Sequence, residues 1–220
     1  MGPLPGGPDS FSKALSMKRF RFTLLAVCLL LLYLGWNDVS LHLRNPSPLD
    51  IEIAELERSG APREWLHVTE GVLDLEEAIS TSGSVDVEAL LVPLKSSPRD
   101  EKFRVLVETR NPRLMEHFRA YHFKQDSVFA KERYLREHAA DFHASRDVTG
   151  MVVGGLIASG NRDKLMQLAR DVGMDVADDV IFVSEGKAPP GYRGFFFLAV
   201  GLLGMVKVLR MWRKPERREA

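Results

Sequence analysis

The sequence predicts an α+β domain held between two transmembrane helices. The first indication is a pair of apolar segments, Phe20–Trp36 and Tyr192–Trp212, which lie near the two ends of the 220-residue chain. The second is residues 37–191, where short alternating stretches typical of strands are mixed with stretches of helical spacing. We therefore expect one domain with a small, mostly antiparallel sheet of roughly five or six strands and three or four helices.

The first apolar segment, Phe20–Trp36, has 17 residues, which corresponds to about 25 Å of helix. This is the short end of the range for a membrane-spanning helix. Arg21 can reach the cytoplasmic headgroups, while Tyr33 and Trp36 suit the opposite interface. A cleaved signal peptide is the alternative, but Leu34–Asn37 makes a poor cleavage site, so an uncleaved anchor is favoured.

The second apolar segment is interrupted by more polar residues. Only Phe195–Val206 is free of charged and polar side chains, so a span must extend to Trp212 with Lys207 and Arg210 reaching the cytoplasmic face. An amphipathic helix lying in the interface is the alternative. A full span is favoured because Tyr192 and Trp212 would mark the two interfaces.

Three glycines of this second segment, Gly194, Gly201 and Gly204, fall at i, i+7 and i+10 and so lie on one stripe of a helix. Small residues on one stripe allow another helix to approach closely. We therefore predict that these three glycines form a helix-packing surface.

The distribution of charge predicts the topology. Residues 1–22 carry a net charge of +3, residues 37–191 carry −8, and residues 192–220 carry +5. The positive-inside rule places the basic tails, residues 1–19 and 213–220, in the cytoplasm, and residues 37–191 outside it. The tails should contact anionic membrane lipid, whereas the acidic middle region argues against a nucleic-acid partner.

Cysteine usage indicates the type of membrane. Cys28 is the only cysteine and lies inside the first apolar segment, so the middle domain contains no disulfide. The chain has no N-glycosylation sequon either, since Asn45 is followed by Pro46. A secreted eukaryotic domain of this size would more often carry disulfides, so the sequence predicts the plasma (inner) membrane of a bacterium.

Local patterns predict the elements of the domain. Ser47 suits the cap of a helix that begins at Pro48 and ends before Gly60. The polar segment Lys95–Lys102 should be a mobile loop between two antiparallel strands. An OB-like, partly open barrel would fit the order of elements. The other predicted helices are Arg113–Phe123, Ser127–Ala144 and one from Asn161 to Gly173, and the predicted strands are Trp65–Val68, Val72–Leu75, Val85–Val92, Phe103–Glu108, Val148–Val153 and Val180–Val183.

The histidine-rich stretch between residues 117 and 143 is the strongest candidate in the sequence for a metal-binding or catalytic site. Imidazole and carboxylate ligands suit zinc or a similar metal, and His138, Asp141 and His143 are the candidate ligands. His138 and His143 are five residues apart, about 140° around a helix, so they do not share a face. His117 and His122 have the same unfavourable spacing. Ordinary surface histidines are therefore the favoured interpretation, and no bound cofactor is expected.

Other catalytic motifs do not fit. The glycine-rich segment from Gly150 to Gly160 lacks the Lys-Ser/Thr pair of a phosphate loop, since Asn161 and Arg162 follow it. The chain also has no G-x-S-x-G nucleophile elbow. These observations weigh against nucleotide binding and against nucleophilic catalysis.

We therefore expect a non-catalytic interaction or accessory module of the cell envelope that contacts membrane lipid and a membrane or envelope protein. Two alternatives remain open. One is a ligand or lipid sensor, and the other is a metal-dependent enzyme that acts on an envelope substrate through the candidate ligands His138, Asp141 and His143. Activity of the isolated domain on such a substrate would favour the enzyme.

Overall fold

A computed structural model describes residues 8–81, 88–100, 103–153 and 179–213, together with residues 163, 166, 167, 170 and 171. The chain forms two compact units. The first contains residues 1–44 and 189–220, and the second contains residues 45–188. The predicted strand Val85–Val92 falls partly on residues 82–87, which lie outside the described residues, as does most of the predicted helix from Asn161 to Gly173.

The first unit contains two long helices, α1 (Pro8–Arg44) and α6 (Tyr192–Arg213). By length and composition, the segments Phe20–Arg44 and Tyr192–Arg213 are apolar enough to cross a membrane. Helix α1 continues for eight residues beyond the predicted end at Trp36. The two predicted apolar helices are therefore present, while the membrane boundaries and the topology stay predictions.

The second unit is a mixed α+β domain built on one curled sheet of eight strands in the described part of the chain. The strand order is β1-β2-β7-β8-β6-β5-β3, and β4 pairs with β5 beside this path. The strands are β1 (Leu49–Glu52), β2 (Trp65–Thr69), β3 (Val72–Leu73), β4 (Ile79–Ser80), β5 (Leu90–Lys95), β6 (Val105–Thr109), β7 (Val148–Val152) and β8 (Ile181–Glu185). The helices are α2 (Ile53–Ser59), α3 (Pro112–Phe123), α4 (Val128–Glu137) and α5 (Ala139–Phe142).

Most strand pairs are antiparallel, as the sequence predicts. Only β1–β2 and β6–β8 pair in parallel among the described strands. The predicted antiparallel pair is present as β5 and β6, with Val92 opposite Val107. The OB-like arrangement stays a prediction. The predicted number of strands, roughly five or six, is lower than the eight strands that are described.

The sheet buries apolar side chains on both faces where β5, β6 and β8 run together. In β6, Val105 and Val107 join the larger core, whereas Leu106 joins a second cluster with Phe182 of β8. This division follows from the strand geometry, because successive side chains point to opposite faces. Strands buried on both faces read as continuous apolar runs, which explains the weak alternation of these segments.

The prediction of a helix beginning at Pro48 is wrong. The chain first forms β1 and only then α2, whose N-cap is Glu52 in an extended conformation. Residues 49–52 pair in parallel with β2, and Ile51 is buried. The pairing partner is distant in sequence, so the local signal of Ser47 and Pro48 could not report it. The predicted end at Gly60 is correct, since Gly60 is the C-cap.

Two further predictions need correction. Ser127–Ala144 is not one helix, because the chain breaks at His138, which ends α4 and precedes α5. Lys95 does not lie in a mobile loop, since it is the last residue of β5 and is 1% exposed. The predicted helix at Arg113–Phe123 is confirmed, with Asn111 as its N-cap.

Candidate functional site

Two histidines and one aspartate converge where α3 meets the end of α4. His117 lies on α3, His138 lies at the break between α4 and α5, and Asp141 lies in α5. The Oδ2 atom of Asp141 is 3.7 Å from Nε2 of His117 and 3.7 Å from Nδ1 of His138. One ligand atom from each of the three residues lies within 4.8 Å of the other two. We call these three residues the His/Asp cluster.

The break at His138 explains why sequence spacing gave little guidance to this cluster. His117 lies on α3, whereas His138 follows α4, so their spacing in sequence does not report the distance between them, and only the packing of α3 against α4 and α5 brings them together. The ring centroids of His117 and His138 are 5.1 Å apart. Below them, the buried ring of Phe142 lies 6.3 Å from the His117 ring, so α5 is fixed to the core at this point.

Tyr134 supports the cluster from α4. Its hydroxyl lies 3.1 Å from Nδ1 of His117, so the hydrogen bond leaves Nε2 of His117 facing Asp141. Burial raises the pKa of Tyr134 above its ordinary value, and the negative charges of Glu116 and Asp141 raise it further. Tyr134 is therefore a neutral hydroxyl at neutral pH, and its oxygen can accept a hydrogen bond from Nδ1–H of His117 in the tautomer that carries the proton on Nδ1.

The structure groups the candidate ligands differently from the sequence prediction. Among the described residues, His138 and Asp141 converge with His117, and His143 is outside this group. His143 follows α5 as its C-cap. Its Nδ1 atom is buried and has no hydrogen-bond partner in the part of the chain that the structure describes. The residue that orients His117 is Tyr134, but the two residues are 17 positions apart and meet only when α3 packs against α4. The sequence therefore offered no local signal for the choice of His117.

His122 lies about one turn after His117 on α3, and its imidazole ring packs against neighbouring aromatic rings. Its centroid is 4.3 Å from Phe118 and 4.9 Å from Tyr121. Burial lowers the pKa of His122 below its ordinary value, and the positive charge of Lys131 lowers it further. His122 is therefore a neutral, packed imidazole at neutral pH.

A buried lysine forms a second ionic group that the sequence did not predict. Nζ of Lys95 donates to Asp74 at 2.7 Å and to Glu77 at 3.0 Å. The same atom lies 5.9 Å from the centre of the Phe103 ring. Burial alone would lower the pKa of Lys95, but the bonds to the two carboxylates outweigh it and raise the pKa above 10.5. Lys95 is therefore a charged, fully paired side chain.

In the first unit, the three glycines of the predicted packing stripe face α1. A Cβ atom added to Gly194 would lie 2.9 Å from the backbone nitrogen of Val39, and one added to Gly201 would lie 2.9 Å from Leu32 Cγ. A Cβ on Gly204 would lie 2.4 Å from Cys28 Sγ. Helix α1 contributes a glycine of its own, since a Cβ on Gly35 would lie 2.8 Å from the backbone nitrogen of residue 198.

An ion pair joins the same two helices near Gly194. Nε and Nη2 of Arg193 donate to the two carboxylate oxygens of Asp38 at 2.7 Å and 3.1 Å. This two-pronged geometry is the strong form of the arginine–carboxylate contact. The Asp38 side chain is 8% exposed, whereas that of Arg193 is 62% exposed.

Large apolar side chains are exposed where α3 ends and α4 begins. Phe123 is 49% exposed, Val128 is 74% exposed and Phe129 is 68% exposed. Four polar residues, 124–127, connect the two helices at this corner. We call Phe123, Val128 and Phe129 the corner patch.

These features differ in what they can do chemically. The His/Asp cluster offers two imidazole nitrogens and a carboxylate oxygen to a cation, the Lys95 group is closed by its own carboxylates, and the corner patch offers apolar surface. No family model, curated protein or solved structure matches this chain.

Proposed function

We propose that this chain is a membrane-anchored, non-catalytic interaction module whose folded domain binds a partner protein through the corner patch. In this proposal α1 and α6 cross the plasma (inner) membrane of a bacterium, both termini lie in the cytoplasm, and the domain lies outside it. The two apolar helices and the basic residues at their terminal ends support this arrangement. The module is an accessory factor of an envelope assembly.

The corner patch is the observation that carries the proposal. Its three side chains contribute little to the core, since about half or more of each is exposed. Exposed aromatic groups that are held on helices are characteristic of binding surfaces, because little side-chain entropy is lost when they are buried. A partner that covers Phe123 and Phe129 would bury the apolar surface that folding leaves in water, and this burial would contribute binding free energy.

The charges around the corner favour a protein partner over the bilayer. Lys124 and Lys131 lie beside the patch, but the carboxylates Asp126 and Glu132 are interleaved with them. Anionic headgroups would attract the lysines and repel the carboxylates, whereas a protein surface can offer charges of both signs. We therefore expect a partner with an apolar pocket bordered by both acidic and basic side chains.

The glycine stripe supports placing the partner contact on the domain. Within the first unit, Gly194, Gly201 and Gly204 already face α1 at distances that leave no space for a Cβ atom. The stripe is therefore used between the chain's own two helices. Another membrane helix would have to contact the lipid-facing apolar side chains instead.

The charged groups inside the domain support a non-catalytic role. Glu185 accepts a hydrogen bond from Thr109 and pairs with Arg146, and Glu108 accepts from Ser184 at 2.6 Å. Like Lys95, these side chains satisfy one another within the sheet. Such pairing is typical of structural networks, in which polar groups are bonded when they are buried.

The proposal can be tested by site-specific photocrosslinking of the full chain at its native level in its own membrane. A photoreactive residue at Phe129 should give one stoichiometric protein adduct. The same residue at Glu55, an exposed position on α2, should not give that adduct. The adduct should be lost when Phe123 is changed to Glu, because a carboxylate would then be buried in the interface.

Three results would overturn the proposal: lipid adducts alone from position 129, the same protein adducts from positions 129 and 55, or no adduct. Lipid adducts alone would make the corner a bilayer contact. Circular dichroism of the Phe123→Glu variant should match the unmodified protein, since the Phe123 side chain is already about half exposed. If that variant does not fold, Val128→Ser takes its place with the photoreactive residue still at position 129, because the Val128 side chain is 74% exposed.

A further inference from the structure

We propose that His117, His138 and Asp141 bind a divalent transition-metal ion, with zinc as the expected metal. The ligand atoms are Nε2 of His117, Nδ1 of His138 and Oδ2 of Asp141. This site is separate from the corner patch and does not depend on the proposed interaction. It replaces the predicted set, in which His143 was the third ligand.

The distances between the ligand atoms suit a metal ion better than direct hydrogen bonds. At 3.7 Å, both imidazole–carboxylate separations are longer than hydrogen bonds. Zinc–ligand bonds of about 2.0–2.2 Å in a tetrahedral site place neighbouring ligand atoms about 3.3 Å apart. These two separations are within about 0.4 Å of that value, and all three ligand atoms lie within 4.8 Å of one another, so binding one ion requires side-chain rotations that bring the atoms closer together.

The contact between Nδ1 of His117 and the Tyr134 hydroxyl leaves Nε2 available to a metal. In the tautomer whose Nδ1–H donates a hydrogen bond to the Tyr134 hydroxyl, Nε2 carries the lone pair that a metal requires. Metal-bound histidines usually donate their second ring N–H to an oxygen in this way, which fixes both tautomer and ring orientation.

The ligand types indicate the class of metal. Two imidazoles and one carboxylate suit zinc and its neighbours, whereas magnesium and calcium prefer all-oxygen sites. Three protein ligands leave one tetrahedral position for water or for a side chain of a bound protein. His138 is about one-third exposed and Asp141 about one-half exposed, so an ion can enter from solvent.

The test uses the untagged full chain in detergent, stripped with chelator and titrated with Zn²⁺ or Co²⁺ alone. We expect one Zn²⁺ per chain after dialysis, an increase in Tm on adding Zn²⁺, and the visible absorption of tetrahedral Co²⁺. Asp141→Asn should weaken binding by about 10-fold or more, and Tyr134→Phe by about 10-fold through the lost support of His117. Asp141 is the preferred position because its side chain is 53% exposed, so the variant should fold normally.

His143→Gln is the matched control, since it changes a neighbouring histidine and leaves the three ligands in place. It should keep the stoichiometry and the Co²⁺ spectrum, while His117→Gln should lose both. The proposal is overturned if no saturable binding occurs, if His117→Gln still binds, or if His143→Gln abolishes binding. Because the readout is metal content and absorption, it does not depend on the crosslinking result at Phe129.

Discussion

Two buried carboxylates, Asp38 in the helix pair and Asp74 in the folded domain, each contact a cation, but the two cations differ in their exposure to water. The Lys95 side chain beside Asp74 is 2% exposed, whereas the Arg193 side chain beside Asp38 is 62% exposed. The lysine has therefore lost its hydration and depends on Asp74 and Glu77. The arginine keeps much of its own hydration while it binds Asp38.

The two units differ in how an ion pair contributes to their packing. In the domain, Lys95 and Asp74 are both buried, so removal of Lys95 would leave the buried Asp74 carboxylate without a cation. In the helix pair, Asp38 is buried because Gly194 allows the backbones to approach. Close backbone packing is primary there, and the ion pair is added at its edge.

The largest effect is expected from Lys95→Met. The substitution leaves Asp74 buried and unpaired, which should destabilise the domain by about 3–5 kcal/mol. For a domain of this size, that loss corresponds to a decrease in Tm of about 10 °C. Thermal unfolding followed by near-UV circular dichroism of the full chain in detergent measures it.

The double variant Lys95→Met, Asp74→Asn is the control for this prediction. It should recover part of the lost stability, because the charge is removed while Oδ1 still accepts from the backbone nitrogen of Glu77. If Lys95→Met alone costs less than about 1 kcal/mol, the pair behaves as a surface contact, and the comparison with Arg193 loses its basis.

An intermediate effect is expected from Gly194→Ala. The new Cβ would lie 2.7 Å from Asp38 Cβ and 2.9 Å from the Val39 backbone nitrogen, so the helices must separate. We expect a destabilisation of about 1–3 kcal/mol, which is typical of overpacking. Labels at Leu30 and Leu203, exposed positions of α1 and α6, report the separation by electron spin distance measurements.

Gly191→Ala is the matched control for this substitution, since nothing lies within 4 Å of an added Cβ at Gly191. The label distance should stay unchanged in this variant. Equal distances in the unmodified chain and in Gly194→Ala would show that the contact at Gly194 is not close, and the packing argument would then be wrong.

The smallest effect is expected from Arg193→Gln. Because Arg193 is largely exposed, its contact should contribute about 1 kcal/mol, in the range measured for polar contacts between membrane helices. Titration with SDS in mixed micelles, followed by the same label pair, measures the change. A loss as large as that of Lys95→Met would mean that the two ion pairs are equivalent despite their different exposure.

Local signals in the sequence predicted much of the fold. Apolar length predicted α1 and α6, and α3 was predicted over Arg113–Phe123, one residue short of its start at Pro112. Strand β1 was missed because its four residues are stabilised by parallel pairing with β2, which lies beyond the helix α2. Lys95 was assigned to a loop because its partners Asp74 and Glu77 belong to another segment of the chain.

The His/Asp cluster shows the same limit at the level of the site. His138 and Asp141 were candidates because they are three residues apart. His117 belonged to the same histidine-rich stretch, but its spacing of five residues from His122 did not place the two rings on one helix face. Its contact with Asp141 depends on the break at His138 and on the packing of α3 against α5, and neither has a signal at short range.

The position of β8 has a consequence for the order of events during synthesis. This strand is the last of the described strands in sequence, yet it lies between β7 and β6 in the middle of the sheet. Among the described strands only β8 pairs with both β7 and β6, so it joins β1-β2-β7 to β6-β5-β3 only after Ile181–Glu185 has left the ribosome. Because the chain is made from its N-terminus, the two parts of the sheet can be joined only after β8 has been synthesised, and α6 is the next helix to follow.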